Sequence, residues 1–404
     1  EDYAEGRIDR QGLLDAESAA YHAPGTCTFY GTANSNQMLM ELMGLQLPGG
    51  SFVNPGTPLR EQLTNEAVRR VVGNTSLGDH YVPVGEIVSE KNVVNSIVGL
   101  LATGGSTNHT IHLIAIAKAA GITIDWEDFS ELSTAVPLLT RVYPNGQADV
   151  NHFHAAGGMG LVIRELLQAG RLHDDVTTIL GQGLSKFCDE PFIENGGLAW
   201  RAGRDTSLDS DIIATVEKPF DKEGGLGLVQ GNVGRAVVKL SAVDDDHHTI
   251  EAPARVFASQ DDFKQAFNDG KLEMDFVAVL PYQGPCAIGM PELHKLTPYL
   301  GLLQNRGFKV ALLTDGRMSG ASGQVLAAIH ATPEAARDGL IGKIRDDDII
   351  TIDATTGELQ VSSEDDIAAR DATPNEIASH HVGIGRELFQ PFRERASSAE
   401  EGAS

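Results

Sequence analysis

The feature that most narrows the fold of this 404-residue chain is a change of texture near residue 210. Up to about residue 205, apolar residues recur at three- and four-residue spacing in "REQLTNEAVRRVVG" (60–73), "EIVSEKNVVNSIVGLLATG" (86–104), "STNHTIHLIAIAKAAG" (106–121) and "GLVIRELLQAG" (160–170). Most of these stretches close on Gly, the residue that best ends a helix, so helices are expected here. The opening "EGRIDRQGLLDAESAAYHA" also reads as helical, and "HYVPV" as a short β-like piece, so helices predominate without excluding a sheet. After residue 210 come short β-rich runs broken by Gly, Asp and Pro: "RAVVKLSAV", "TIEAPARVFAS", "DFVAVLPYQGP", "FKVALLTDG" and "DIITIDATTGELQV". They predict a β-barrel or β-sandwich with few helices, one of them over 291–303. With Ala199 to Asp211 as the link, the expectation is an α/β protein with a helix-rich part over 1–207 and a barrel-like part over 208–404.

Composition then excludes several classes. Apolar residues make up 41% and charged residues 22%, as in ordinary soluble globular proteins. No apolar run reaches membrane-spanning length, and no basic flank leads into an apolar core at the start. Cys27, Cys188 and Cys286 form neither an even framework nor a CxxC pair, which points to a reducing, cytoplasmic setting. A formal net charge of -25 opposes binding to nucleic acid or to an anionic membrane. The chain opens on Glu1 inside a helical pattern, and its simplest reading is a fragment or a processed product.

Five stretches carry chemistry. In "GTCTFYGTANSNQMLME" (25–41), Cys27 stands in a Gly/Thr-rich loop ahead of a helix whose amides and dipole would favour a thiolate; a small buried hydrophobe is the plainer reading. "LLTDGRMSGASGQ" (312–324) reads as strand, turn and helix, exposing Ser319 beside amides and the cation Arg317, with Asp315 and Gly316 ahead of it; serines capping the helix explain it equally. "YQGPCAIGMPELHK" (282–295) presents Glu292 at a helix start, where the dipole favours it even without a metal. "LLATGGSTNHTIHL" (100–113) places Ser106, Thr107 and Asn108 at a helix N-terminus suited to a carboxylate or phosphate, or to simple capping. "NHFHAAGGMG" (151–160) adds His152 and His154, a metal-binding pair or one face of a solvated edge strand.

Taken in order, these segments, together with "LPGGSFVNPGTPLR", "GMPELHKLTP" and "GIGRELF", resemble the iron-sulfur dehydratases that include dihydroxy-acid dehydratase and the sugar-acid dehydratases. "TCTFYGTANSNQ", "NPGTPLR" and "GRELF" sit with the branch acting on a phosphorylated sugar acid. The resemblance implies an N-terminal α/β domain, a C-terminal β-barrel, an active site between them and a homodimer. It implies that Cys27 is one of three ligands to a 4Fe-4S or 2Fe-2S cluster, with the other two and a metal-binding Asp upstream of this chain. Glu292 is implied as a Mg²⁺ ligand and Ser319 as the general base, with Asp315, Gly316 and Arg317 shaping its loop. Arg60, His154 and the Ser106 to Asn108 turn are candidates for the substrate phosphate. Cys286 stands where relatives commonly carry a basic residue. The competing expectations are a dihydroxy-acid or other sugar-acid dehydratase, and an inactive fragment without its upstream ligands.

Overall fold

The computed structural model describes residues 2–3, 5–20, 27–318 and 323–404. Helices build the first half: α1 (Arg10–Ala19), α2 (Thr32–Leu42), α3 (Pro58–Gly73), α4 (Val84–Ile87), α5 (Glu90–Ala102), α6 (His109–Ala119), α7 (Trp126–Ala135), α8 (Val150–Ala156) and α9 (Gly158–Gln168). Local signals set their ends. Thr57 caps α3 by accepting from the Arg60 amide, with Pro58 in the first turn, and Asp125 and Asp128 form a reciprocal capping box on α7. The predicted 86–104 helix is two helices, because Ser89 accepts from the Asn92 amide and starts α5 afresh. "HYVPV" forms no strand. The apolar faces of α2, α5, α6, α7 and α9 share one core built around Met38, Leu42, Ile97, Leu101, Trp126 and Val162.

Two hairpins follow, β1 (Thr177–Thr178) with β2 (Gly181–Gln182) and β3 (Asp189–Glu194) with β4 (Gly197–Ala202). The expected link therefore begins inside β4, and irregular chain from 203 to 225 leads to the barrel. The barrel strands are β5 (Leu226–Gly231), β6 (Gly234–Lys239), β7 (Thr249–Val256), β8 (Phe276–Leu280), β9 (Val310–Thr314), β10 (Ala327–Thr332), β11 (Ile349–Asp353) and β12 (Glu358–Ser362). They close in the order β10-β6-β5-β12-β11-β7-β8-β9, which decides for the barrel over the sandwich.

Pairing splits the barrel into two arcs. The β7-β8-β9-β10 arc is parallel, with α10 (Gln260–Asn268) between β7 and β8 and α11 (Thr297–Asn305) between β8 and β9. Its central strands β8 and β9 are buried on both faces: Val277, Val279, Ala311 and Leu313 point into the barrel, while Phe276, Leu280, Val310 and Leu312 pack with Phe263 of α10 and Leu300 of α11. This is why "FVAVL" and "VALLT" are unbroken apolar runs. The other arc, antiparallel except for the parallel β5-β12 pair, alternates instead; Ile350 and Ile352 of β11 are buried between the more exposed Ile349, Thr351 and Asp353. Leu226 and Val237, on β5 and β6, pack on Trp126 and Phe129 of α7, so the helical half covers that flank. Short helices α12 (Ile377–His380) and α13 (Gln390–Arg395) end the chain.

Two sequence expectations fail here. The segment expected to be helical after Gly323 is strand β10, pairing parallel with β9 through Ala327↔Leu312. Buried residues on both faces of "QVLAAIHAT" give a short continuous apolar run, for which periodicity cannot separate strand from helix. The helix expected from Pro291 begins at Thr297, so Glu292 is not at a helix start.

Candidate functional site

Parallel strands end where their following loops meet, and in α/β sheets that rim is where ligands bind. At the end of β9, Asp315 is fully buried, and its carboxylate accepts hydrogen bonds from the amides of Tyr282 (3.1 Å), Gln283 (2.8 Å) and Ala335 (2.8 Å). Burial pushes its pKa up to about 6, with the three amides and the nearby Glu334 as lesser influences of mixed sign. Asp315 thus fastens three loops together, consistent with shaping the turn. Gly316 follows because a Cβ there would sit 2.5 Å from Gln283 Cβ.

Arg317 and Glu292 are brought side by side. They form a parallel bridge in which the Leu293 amide donates to the Arg317 carbonyl at 3.1 Å, and Arg317 Nε donates to the Met290 carbonyl at 2.7 Å. The Glu292 carboxylate has no hydrogen bond or ion pair among the described residues, leaving its oxygens open to a cation. Ser319, Gly320 and Ser322 lie outside the described residues, as does Gly25. Cys286 is tied to the wall behind this mouth: its amide donates to Glu334 at 3.0 Å, and Arg337 Nε donates to its sulfur at 3.1 Å. A basic residue would meet Arg337 at this position.

Cys27 is exposed, in a loop pinned by Asn34, whose Nδ2 donates to the carbonyls of Cys27 (2.8 Å) and Phe29 (2.6 Å). The loop enters α2 at Gly31, where no side chain caps the helix. Beside Cys27 lies a cavity of about 240 Å³ lined by Asn34, Gln37, Ser51, Asn54, Arg60 and Asn151, among others. Glu41, fully buried on α2, holds its far wall by accepting from the amides of Ser51 (2.7 Å) and Gly49 (3.2 Å). Arg60 donates through Nε and Nη2 to the Val53 carbonyl and through Nη2 to the Gly50 carbonyl, and forms no ion pair among the described residues. A half-buried guanidinium without a carboxylate suits an arriving anion. His154 lies on helix α8, not on a strand, near enough to Arg60 and Glu190 to feel both charges, but does not line this cavity. His152 is spent on capping its own helix.

The Ser106 to Asn108 turn sits at neither opening; it is buried at the joint between them. Thr32, the first residue of α2, shares a 2.8 Å hydrogen bond with Ser106 Oγ and accepts from Asn108 Nδ2 at 2.8 Å. Gly104 makes this turn possible: its φ is +57°, and a Cβ would lie 2.0 Å from Asn145 Nδ2. Sequence reasoning missed two groups here. Lys239, the last residue of β6, is buried and donates to the Gly104 carbonyl at 2.8 Å, with burial lowering its pKa to about 7. His330 of β10 is the other. "VVKL" and "AAIHAT" each place one polar residue in an apolar strand, and that was the available signal.

The donor set was tested against the groups the resemblance implies. Among the described residues no cluster of three or more His, Cys, Asp or Glu is spaced to hold a metal ion. Cys188 is buried and Cys286 is bound to Arg337, so Cys27 is one exposed thiol where a cluster needs several. The described residues therefore do not hold a cluster or a Mg²⁺ ion by themselves; they present one exposed thiol, Cys27, and one carboxylate without a partner among them, Glu292.

Comparison with known proteins decides the family. Residues 1–187 match the description "Dihydroxy-acid/6-phosphogluconate dehydratase N-terminal" and residues 211–403 its C-terminal counterpart. The chain belongs to the dihydroxy-acid/6-phosphogluconate dehydratase family. It is 58% identical over 405 residues to a phosphogluconate dehydratase of Rhizobium meliloti and 57% identical over 403 residues to that of Escherichia coli K12, covering 100% of this chain and 67% of each relative. A dihydroxy-acid dehydratase of Caldanaerobacter subterraneus is 34% identical over 365 residues, 89% of this chain and 62% of the relative. The chain thus spans about two thirds of the length of the phosphogluconate dehydratases it matches. No described helix is long and apolar enough to cross a membrane.

Proposed function

We propose that this chain carries the larger part of a phosphogluconate dehydratase, a hydro-lyase that removes water from 6-phospho-D-gluconate to give 2-dehydro-3-deoxy-6-phospho-D-gluconate in the Entner-Doudoroff pathway. The observation that carries this reading is the 57–58% identity, over the whole chain, to proteins of that name, against 34% to a dihydroxy-acid dehydratase. The Cys27 cavity agrees with it, since Arg60 offers a charge-assisted partner for a phosphate that a branched-chain dihydroxy acid lacks.

The chemistry has two demands. The proton next to a carboxylate is weakly acidic, and hydroxide is a poor leaving group. An iron-sulfur cluster and Mg²⁺, when bound, would supply Lewis acidity toward the substrate's hydroxyl and carboxylate. Cys27 would contribute one ligand to the cluster and Glu292 one to Mg²⁺. In this reading Ser319 takes the C2 proton. An ordinary serine is far too weak an acid to act as alkoxide, so its loop must supply positive potential. Because β10 replaces the expected helix, that potential cannot come from a helix following the loop; Arg317, two residues before Ser319, is the available cation. Asp315 acts at one remove, by fixing the turn that carries Arg317. Arg60 orients the 6-phosphate, with the active protein a cytoplasmic homodimer.

The test is Ser319→Ala in the protein extended to the relatives' full length and loaded with iron, sulfide and Mg²⁺. Turnover of 6-phosphogluconate is expected to vanish while the cluster absorbance stays. Retained turnover removes Ser319 from the base role, and a wild-type protein that dehydrates only 2,3-dihydroxyisovalerate overturns the substrate assignment.

A further inference from the structure

His330 departs from every local expectation for a residue in a barrel strand. The β10-β6 register shifts between Ile329 and Thr332, and His330 sits in that break with φ +61°. Residues with a Cβ adopt this backbone shape uncommonly, though His more readily than most, and such positions gather at functional sites. Its amide donates to the Gly316 carbonyl at 2.9 Å, so the distorted strand props the turn that carries Arg317. The imidazole is 0% exposed and lies beside the Trp126 ring, with centroids 6.4 Å apart.

The hydrogen-bond network favours one tautomer. His330 Nδ1 is 3.4 Å from Thr110 Oγ1, and Thr110 donates its hydroxyl hydrogen to the Thr107 carbonyl at 2.8 Å. In that arrangement Thr110 accepts from the ring, which favours a proton on Nδ1 and a lone pair on Nε2. Nε2 has no hydrogen-bond partner among the described residues. Burial, followed by the charges of Arg317 and His112, lowers the ring's pKa to about 3, so at neutral pH it stays uncharged and Nε2 remains an acceptor. A buried acceptor without a donor is unfavourable, and a leucine would fill similar space without that penalty. Packing alone does not account for an imidazole here.

We infer that His330 is a positioning residue for the reaction: its Nε2 accepts a hydrogen bond from a hydroxyl, that of an ordered water or of the polyol substrate, while its strained backbone holds the Gly316–Arg317 turn in place. The inference rests on the dehydratase reading. In that frame the ring, held by Thr110 of α6, couples the helical half of the molecule to the barrel mouth.

The test uses the cluster-loaded, full-length protein with 6-phosphogluconate; wild-type turnover checks the dehydratase reading separately. His330→Leu is expected to lower kcat about 100-fold with KM within about threefold, and His330→Gln, which keeps an acceptor, to recover about tenfold of that loss. Nitrogen-15 spectra of the histidine rings are expected to show His330 protonated on Nδ1 with a hydrogen-bonded Nε2. A shift of that signal on adding 6-phosphogluconate identifies a substrate hydroxyl as the donor, and a hydrogen-bonded signal that ignores it identifies water. Wild-type kcat in His330→Leu, equal losses in the Leu and Gln variants, or a ring protonated on Nε2 each overturn the inference. If His330→Leu does not fold, Thr110→Val carries the test, because it removes the acceptor for Nδ1–H and is expected to mix the two tautomers and lower kcat. An unchanged tautomer in that variant overturns the inference.

Discussion

At the barrel mouth, the Asp315 carboxylate gathers three amides from two other loops, and Arg317 and Glu292 are locked in register beside it. At the Cys27 loop, one asparagine grips the backbone and the thiol is left to solvent. The mouth is a finished scaffold whose geometry comes from buried hydrogen bonds. The Cys27 loop presents an exposed thiol whose hydrogen-bond contact among the described residues is the Phe29 carbonyl at 3.9 Å. The first region is held by buried hydrogen bonds within the barrel, and at neither region do the described residues bring together three or more His, Cys, Asp or Glu that could hold a metal ion.

The sharpest way to break this contrast is Cys27→Ser. In the full-length protein it is expected to abolish cluster iron, measured by iron and sulfide analysis, while leaving the melting temperature of the 404-residue chain unchanged. A lower melting temperature would mean that the thiol is structural. Asp315→Ala should behave in the opposite way. It strips a shared acceptor from three buried amides and is expected to cost about 3 kcal/mol or more in denaturant unfolding; a loss below about 0.5 kcal/mol would show that the mouth is not held by this carboxylate.

Arg60→Gln tests the open side at its edge. Losing one charge-assisted contact to phosphate is expected to raise KM for 6-phosphogluconate about 10- to 100-fold with little change for unphosphorylated gluconate. Equal changes for both substrates would place the phosphate elsewhere. The smallest effect is a pH slope. An Asp releases its proton near 3.8 in the unfolded chain, but Asp315 holds it to about 6 when folded. Between those values the folded state binds more protons, so this group's contribution to stability falls as pH rises through the window and is flat above it. Asp315→Asn should remove that slope in pH-dependent unfolding, and an unaltered slope would assign it to other groups.

The two halves of the fold were legible because each has a clean period: three to four residues in α3, α5, α6 and α9, and short apolar runs in β6 to β9. Where both faces of a segment are buried the period vanishes, which is why β10 read as a helix. The exposure of Cys27 was legible from its Gly/Thr-rich loop, whereas the helix start expected at Glu292 lies five residues further on, at Thr297. The grouping of Glu292 with Arg317 was not legible, because it depends on two loops that meet only once the barrel closes. His330 and Lys239 stayed hidden for the same reason: a single polar residue in an apolar strand shows its role only when its partners, Thr110 and Gly104, arrive from the other half of the chain.

The most direct test of the account is to reconstitute the full-length protein and the 404-residue chain anaerobically with iron and sulfide, and to measure bound iron together with 2-keto acid formation from 6-phosphogluconate. The account predicts iron and turnover in the full-length protein and neither in the 404-residue chain. A stable cluster with turnover in the 404-residue chain alone would contradict it, and would require Cys188 or Cys286 to serve as ligands.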